Sequence, residues 1–245
     1  MSFTYKKLSY SQGLSYAVVC YIMWGTFPIF WKSITGVSPI NMLAHRIVWS
    51  FAFMLFWVLL AKRKIFSGYI RQPKLLLRLG LAGSVISLNW GIFIYAVSNN
   101  QIIEAGLGYY MNPLVNIFLG YAFLKEHLTA LQKTAVLLAL AGVVYLTVSY
   151  GQFPWISLLL AVTFGFYGLL KKKIDIEPVS ALTMETMMVF PIALGFLFYN
   201  TGAGEGMNFF PQSFSTSMLL VASGLITAIP LYWFGKSAQV VPLST

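Results

Sequence analysis

Long apolar runs dominate the chain, and short stretches that carry charge, proline or glycine separate them. A helix that spans a bilayer needs about 20 apolar residues at a rise of about 1.5 Å each. Eight segments satisfy this length. They run near 13–31, 40–60, 75–97, 102–124, 133–149, 153–170, 180–199 and 217–235. The pattern therefore predicts an all-α polytopic membrane protein with eight spans.

The fourth of these segments is more polar than a helix surrounded by lipid requires. Glu104 lies just inside its start, Asn112 and Pro113 interrupt its middle, and Asn116 follows one turn later. Polar and helix-breaking residues at membrane depth are typical of helices that face a cavity or another helix. We expect this helix to line an internal cavity.

Composition supports a membrane protein and excludes a soluble domain. Hydrophobic residues make up 58% of the chain and charged residues only 9%, against about 25% charged residues in soluble domains. The mean hydropathy is +0.77. The net charge of +10 is explained by basic cytoplasmic loops, so nucleic acid is not an expected partner. Because Cys20 is the single cysteine, no disulfide forms within the chain, and we interpret it as a core residue.

The basic residues predict the orientation. With the N-terminus in the cytoplasm, all of the 16 basic residues except Lys32 and Arg46 fall on the inner side. Cytoplasmic loops are enriched in lysine and arginine, so this orientation is preferred over its inverse. The basic runs at 62–78 and 171–173 are interpreted as topology determinants that contact anionic lipid.

The chain also shows a weak internal repeat. Ser38-Pro39-Ile40 and Glu177-Pro178-Val179 each precede a span and lie 139 residues apart, and the same offset places Arg46 on Glu185. The first unit holds an odd number of spans, so a second copy enters the membrane from the opposite side. Such inverted repeats are typical of secondary transporters, whose substrate site lies near the midplane.

The repeat divides the chain into a first five-helix unit, 1–150, and an incomplete three-helix unit, 151–245. The last four residues align with 102–105, where the fourth helix of the first unit begins. We therefore expect eight spans of a ten-span protein, truncated at its C-terminus. The alternative is a genuine eight-span protein.

Several local motifs together resemble the RarD-like permeases of the EamA family, in the drug/metabolite transporter superfamily. They are YIMWGTFP at 21–28, HRIVWS at 45–50, NW at 89–90, EAGLGYYMNPLVN at 104–116, FYGLLKKK at 166–173 and ET at 185–186. The resemblance covers 13–245. It implies a bacterial inner-membrane protein with two inverted five-helix EamA units, both termini in the cytoplasm, and small-molecule transport. The absence of the last two helices departs from that pattern.

Two buried charges of opposite sign give the sharpest chemical hypothesis. Arg46 and Glu104 are predicted at a similar depth near the outer surface, and a guanidinium there needs an anionic partner or water. They are expected to pair directly or to share an anionic substrate. The alternative is that Arg46 extends to the outer headgroups. His45 is a candidate proton carrier or a packing residue. Glu185 either binds a proton or a cationic amine, or it caps a neighbouring helix or pairs with a lysine of 171–173.

Aromatic and amide residues at membrane depth complete the predicted substrate site, because rings supply contact area and amides orient a solute. Packing is the alternative role for the aromatic residues. The full set of candidate binding residues is Trp24, His45, Arg46, Asn89, Trp90, Glu104, Tyr109, Asn112, Asn116 and Glu185. Helix kinks are expected where proline lies within a span. These prolines are Pro28, Pro113, Pro191 and Pro230.

No metal-ligand spacing, phosphate-binding loop or haem motif is present in the sequence, so neither a cofactor nor an enzymatic activity is expected. The sequence predicts a secondary transporter for a small organic metabolite or drug-like solute that works by alternating access. Proton coupling and a homodimer are left open. The expected partners are the small-molecule substrate and the lipid bilayer. The alternative is a truncated membrane paralogue that does not transport or serves as a scaffold.

Overall fold

The computed structural model describes residues 9–151, 153–174, 176–202 and 213–242 of the 245-residue chain. These residues form α-helices and no β-strand, as the apolar runs predict. The helices are α1 (Tyr10–Ser33), α2 (Pro39–Ala61), α3 (Arg63–Ile70), α4 (Pro73–Ser98), α5 (Ile102–Leu124), α6 (Ala130–Tyr150), α7 (Trp155–Lys172), α8 (Pro178–Gly202) and α9 (Phe214–Ala238).

Local capping signals explain where several helices begin and end. Ser9 and Thr129 each form a capping box with a glutamine three residues later, which satisfies backbone donors at the helix start. Ser38 caps α2, and Pro39 occupies its first turn, where the missing amide is not needed. At its C-terminal end, α6 stops at Gly151, whose positive φ of 70° is the usual helix-terminating conformation.

Seven of the described helices are long and apolar enough to cross a membrane: α1, α2, α4, α6, α7, α8 and α9. The helix α5 has 23 residues but is not among them, because Glu104, Asn112 and Asn116 lower its hydropathy. The eight-span prediction is thus matched at seven segments, and α5 remains a predicted span. The eight-residue α3 lies within the basic link between spans and was not predicted.

The main packing contacts run between the first and second halves of the chain. The helix α2 packs on α8 and α9, α4 packs on α7 and α8, α5 packs on α7, and α1 packs on α9. The predicted repeat makes α7, α8 and α9 the counterparts of α1, α2 and α4. Under that correspondence, the contact of α2 with α9 matches that of α8 with α4, and the contact of α1 with α9 matches that of α7 with α4. As a result, helices from both halves surround the centre of the bundle.

Glycines permit the closest of these helix approaches. A side chain on Gly224 of α9 would lie 2.7 Å from the backbone nitrogen of Ser50 on α2, and the Ser50 hydroxyl donates a hydrogen bond to the Gly224 carbonyl (3.2 Å). Gly83 of α4 faces the backbone of Glu185 on α8 in the same way. Small residues at such crossings are typical of membrane helix pairs. These two contacts hold α2 and α4 against α9 and α8.

The helix α6 lies at the edge of the bundle. It packs on α5, and Val143 is the one buried side chain among those described in this helix. Leu131, Tyr145 and Val148 are each more than 70% exposed. A uniformly apolar and exposed helix is suited to contact with lipid.

Candidate functional site

A cavity lies at the centre of the bundle, where α1, α2, α4, α5, α7 and α9 converge. Its volume is only about 40 Å³. The cavity is therefore narrow in this conformation. Its lining consists of Trp24, Phe27, Arg46, Asn89, Trp90, Phe93, Ala105, Gly108, Tyr109, Asn112, Leu160, Phe164 and Leu231.

Arg46 is the only charged residue in this lining, and it is 97% buried. Its guanidinium carbon lies 4.4 Å from the ring centre of Trp90 and 4.9 Å from that of Trp31. The ring of Phe27 is 5.8 Å away. Aromatic faces attract a cation, but they do not replace in-plane hydrogen-bond acceptors. Within the described residues, Nε and Nη1 of Arg46 have no hydrogen-bond partner.

Two amides extend the polar part of the lining. The side-chain nitrogen of Asn89 donates to the Leu160 carbonyl (2.9 Å) and to the hydroxyl of Thr163 (2.8 Å), which joins α4 to α7. The oxygen Oδ1 of Asn112 on α5 is buried and has no hydrogen-bond partner among the described residues. Asn89 thus holds two helices together, whereas Asn112 presents an unsatisfied acceptor to the cavity.

Aromatic rings form much of the remaining wall. Trp24 lies edge-on to Phe164, with ring centres 5.2 Å apart, and Phe93 contacts Tyr109 at 6.0 Å. These edge-to-face arrangements are favourable for aromatic pairs. The cavity therefore combines apolar ring surfaces with one guanidinium and two amides.

Six of the ten predicted binding residues line this cavity. They are Trp24, Arg46, Asn89, Trp90, Tyr109 and Asn112. Asn116 instead lines an apolar groove between α1, α5 and α9, which Tyr109 and Pro113 also border. His45 is buried in α2 but is not part of the cavity lining.

Glu104 lies away from Arg46. Its side chain borders a separate cavity between α5 and α6, together with Tyr110 and Leu146, and its carbonyl accepts a hydrogen bond from Ser157 (2.6 Å). No ion pair joins Arg46 to Glu104 among the described residues. The two residues border different cavities.

Three comparisons with known proteins place the chain in a family. Residues 11–148 match the model of the EamA-like transporter family. An uncharacterized transporter of Bacillus subtilis, YojE, is 42% identical over 95% of this chain and 78% of its own. The RarD protein of Streptomyces exfoliatus is 43% identical over 95% and 74%, and that of Escherichia coli is 37% identical over 96% and 79%.

The chain belongs to the EamA family. Its identity to the RarD proteins makes it a RarD-like member, as the local motifs predict, and its apolar helices make it a multi-pass membrane protein. One crystal structure shares its fold with a TM-score of 0.69, at 18% identity over 94% of this chain and 80% of that chain.

This EamA protein contains a second buried polar cluster at the end of α7. Lys171 donates to Oε1 of Glu185 on α8 (2.7 Å), and the hydroxyl of Tyr167 donates to Oε2 (3.1 Å). Glu185 is fully buried, and Lys171 is 94% buried. Of the roles left open for Glu185, the structure shows the pair with a lysine. The expectation that Lys171 contacts lipid is wrong, because the side chain turns inward to this carboxylate.

Aromatic rings lie between this cluster and the cavity of the EamA protein. Phe234 on α9 stacks on Tyr167 with ring centres 5.9 Å apart. The same ring lies 5.1 Å from Phe164 and 5.6 Å from Trp24, both of which line the cavity. A continuous aromatic layer therefore separates the cavity from the pair of Lys171 and Glu185.

Several lining residues were not predicted as part of the site: Phe27, Phe93, Ala105, Gly108, Leu160, Phe164 and Leu231. An apolar residue within an apolar span carries no signal of its own in the sequence. Gly108 packs closely against α7, where a side chain on it would lie 3.1 Å from the Ser157 carbonyl oxygen. That proximity supports the packing role at the margin of the cavity.

Each of the four predicted kink prolines lies inside a helix, in α1, α5, α8 and α9. Pro113 borders the apolar groove, and Pro230 is buried in α9. Among the described residues, no group of three or more histidine, cysteine, aspartate or glutamate side chains is placed to hold a metal ion.

Proposed function

We propose that the protein is a secondary transporter of a small organic solute, which binds in the central cavity. The observation that carries this proposal is the lining of that cavity, in which aromatic rings, amides and one guanidinium converge from both halves of the chain. Apolar surface with a few polar groups is the usual composition of a site for an organic molecule. The family and the named transporter relatives support transport as the activity.

We infer that transport proceeds by alternating access between two inverted units. The equivalent packing of α2 on α9 and α4 on α8, and of α1 on α9 and α4 on α7, supports the repeat. In such architectures one unit rocks against the other around a fixed site. In this conformation the cavity is too narrow for an organic solute. The solute enters the cavity when the two units move apart.

The closed end of the cavity is the end at which Lys171 pairs with Glu185. With the N-terminus in the cytoplasm, this end faces the cell interior. The aromatic layer of Tyr167, Phe164 and Phe234 then separates the solute from the cytoplasm. Release on that side requires these rings to separate, and the buried ion pair opposes their separation. Proton coupling remains a prediction that an imposed pH gradient tests.

Cysteine labelling tests whether the protein lies in the bacterial inner membrane with its N-terminus in the cytoplasm. Cys20, the single cysteine, is first replaced by serine. One new cysteine is then introduced, either Ser67→Cys in α3, which precedes α4, or Ser98→Cys at the C-terminal end of α4. Both serines are exposed. We expect a membrane-impermeant maleimide to label Ser98→Cys in intact cells and Ser67→Cys only after lysis. The reverse labelling pattern would contradict the orientation.

Transport itself is tested by comparing solutes inside and outside bacterial cells that contain the protein or an empty vector. We expect at least one small organic solute to change its distribution when the protein is present, because the cavity gives it a path across the membrane. Untargeted mass spectrometry of cells and medium measures this change. An unchanged profile, with the protein shown to be in the membrane, would favour a membrane protein that does not transport.

A further inference from the structure

Among the residues that the structure describes, no carboxylate balances the charge of the central cavity. Four acidic residues fall within the described ranges. Glu185 pairs with Lys171, Glu177 accepts from the backbone and hydroxyl of Ser180, and Glu104 borders the other cavity. Glu126 follows the end of α5. None of these carboxylates lines the cavity that contains Arg46.

The buried guanidinium can therefore form an ion pair with an anionic ligand. Leaving a charge away from water without a counter-charge is unfavourable. The rings of Trp90, Trp31 and Phe27 compensate part of this cost through their faces, while the N–H donors lie in the plane of the guanidinium. Since Nε and Nη1 have no partner among the described residues, they are available to a ligand. These two donors lie on different edges of the guanidinium, and in a bidentate pair a carboxylate bridges Nη2 and either Nε or Nη1.

The rest of the lining defines the body of that ligand. Trp24, Trp90, Phe93 and Phe164 offer ring surfaces to a flat apolar group. Oδ1 of Asn112 lacks a donor, and an N–H or O–H group of the ligand satisfies it. A single cation in an otherwise uncharged lining fits one negative charge better than two.

We propose that the cavity binds an organic monoanion in which a carboxylate pairs with Arg46 and an aromatic body packs on Trp90 and the neighbouring rings. This inference rests on the proposed function, because it names the class of solute for the same cavity. It distinguishes aryl carboxylates from their neutral amides, which have nearly the same shape but no charge. It also assigns Arg46 to the ligand rather than to the outer headgroups.

The test measures binding to purified protein, so it does not depend on transport. The probes are three acids, phenylacetate, 3-phenylpropionate and trans-cinnamate, each compared with its amide. We expect the acids to raise the thermal unfolding midpoint in a concentration-dependent manner. The amides are expected to bind at least about tenfold more weakly, since a bidentate charge-assisted contact is lost. Equal effects of acids and amides, or no effect of any acid, would overturn the inference.

Variants of Arg46 provide the second arm. Arg46→Gln is expected to remove the preference for acids over amides, and Arg46→Lys to retain part of it because the charge remains without the planar fork. Arg78→Gln is the matched control, since Arg78 is exposed on α4, and we expect it to preserve the preference. If Arg46→Gln does not fold, the comparison of acids with amides on the wild-type protein still decides the inference.

Binding and transport fail in different ways. Acid binding that depends on Arg46, without any solute movement in cells, would support the ligand class and contradict the transporter. Protein-dependent movement of neutral solutes, with no acid binding to the purified protein, would support the transporter and contradict the anion site.

Discussion

Lys171→Met is expected to destabilise the folded protein strongly. The substitution leaves the carboxylate of Glu185 fully buried, and the hydroxyl of Tyr167 is then its remaining hydrogen-bond donor among the described residues. Removing one partner of a buried ion pair costs about 3–5 kcal/mol because the other charge is left uncompensated. The loss of stability is measured as a fall in the thermal unfolding midpoint of the detergent-purified protein, with size-exclusion chromatography used to detect unfolding.

The double variant Lys171→Met/Glu185→Met separates this cause from a general effect of altering α7. It removes both charges, and replacing a buried pair with apolar residues is often neutral or stabilising. We expect it to recover most of the stability lost in Lys171→Met. Lys173→Met is the control, because this lysine is exposed and its loss should change the midpoint little. A stable Lys171→Met protein, or a double variant no more stable than the single one, would contradict the buried pair.

The helices were predictable because their signal is long and local. The predicted span at 102–124 coincides with α5, and that at 40–60 differs by one residue at each end from α2 (Pro39–Ala61). Apolar runs longer than 20 residues leave little freedom in placing a helix, and caps such as Ser38 mark its start. The short α3 escaped prediction because eight residues within a basic link carry no span signal.

Polar residues of the site were predictable, whereas their grouping was not. Arg46, Asn89 and Asn112 stand out because charge and amide groups are rare in apolar spans. Their depth along each helix follows from sequence position. Whether two helices turn those residues toward the same space depends on rotation about the helix axis, which tertiary packing decides. For that reason Glu104 was expected beside Arg46, although the structure places it in a separate cavity next to α6.

The aromatic residues of the site could not be predicted, because the apolar composition that indicates the spans gives every phenylalanine within them the same sequence context. Phe27, Phe93 and Phe164 line the cavity, but a phenylalanine in an apolar helix contacts lipid, core or ligand with equal plausibility. Similarly, Lys171 read as one of three cytoplasmic lysines. Its burial against Glu185 became visible only when α7, α8 and α9 were seen to converge.

Trp90→Ala is expected to reduce solute transport by at least about tenfold, because this indole ring lines the cavity and its centre lies 4.4 Å from the guanidinium carbon of Arg46. The ring is 96% buried and lines the cavity, so its loss removes contact area from the solute. Trp155→Ala is the matched control. Trp155 is 64% exposed at the start of α7, and its removal should leave the rate unchanged.

The decisive measurement is the rate at which a solute identified by the cell comparison crosses vesicles containing equal amounts of folded wild-type, Trp90→Ala, Trp90→Phe or Trp155→Ala protein. Trp90→Phe retains a ring and guards against a folding defect in Trp90→Ala. If the central cavity is the transport site, Trp155→Ala transports at the wild-type rate and Trp90→Phe at an intermediate rate. The rate of Trp90→Ala is then lower by at least about tenfold. A folded Trp90→Ala protein that transports at the wild-type rate would contradict this role of the cavity.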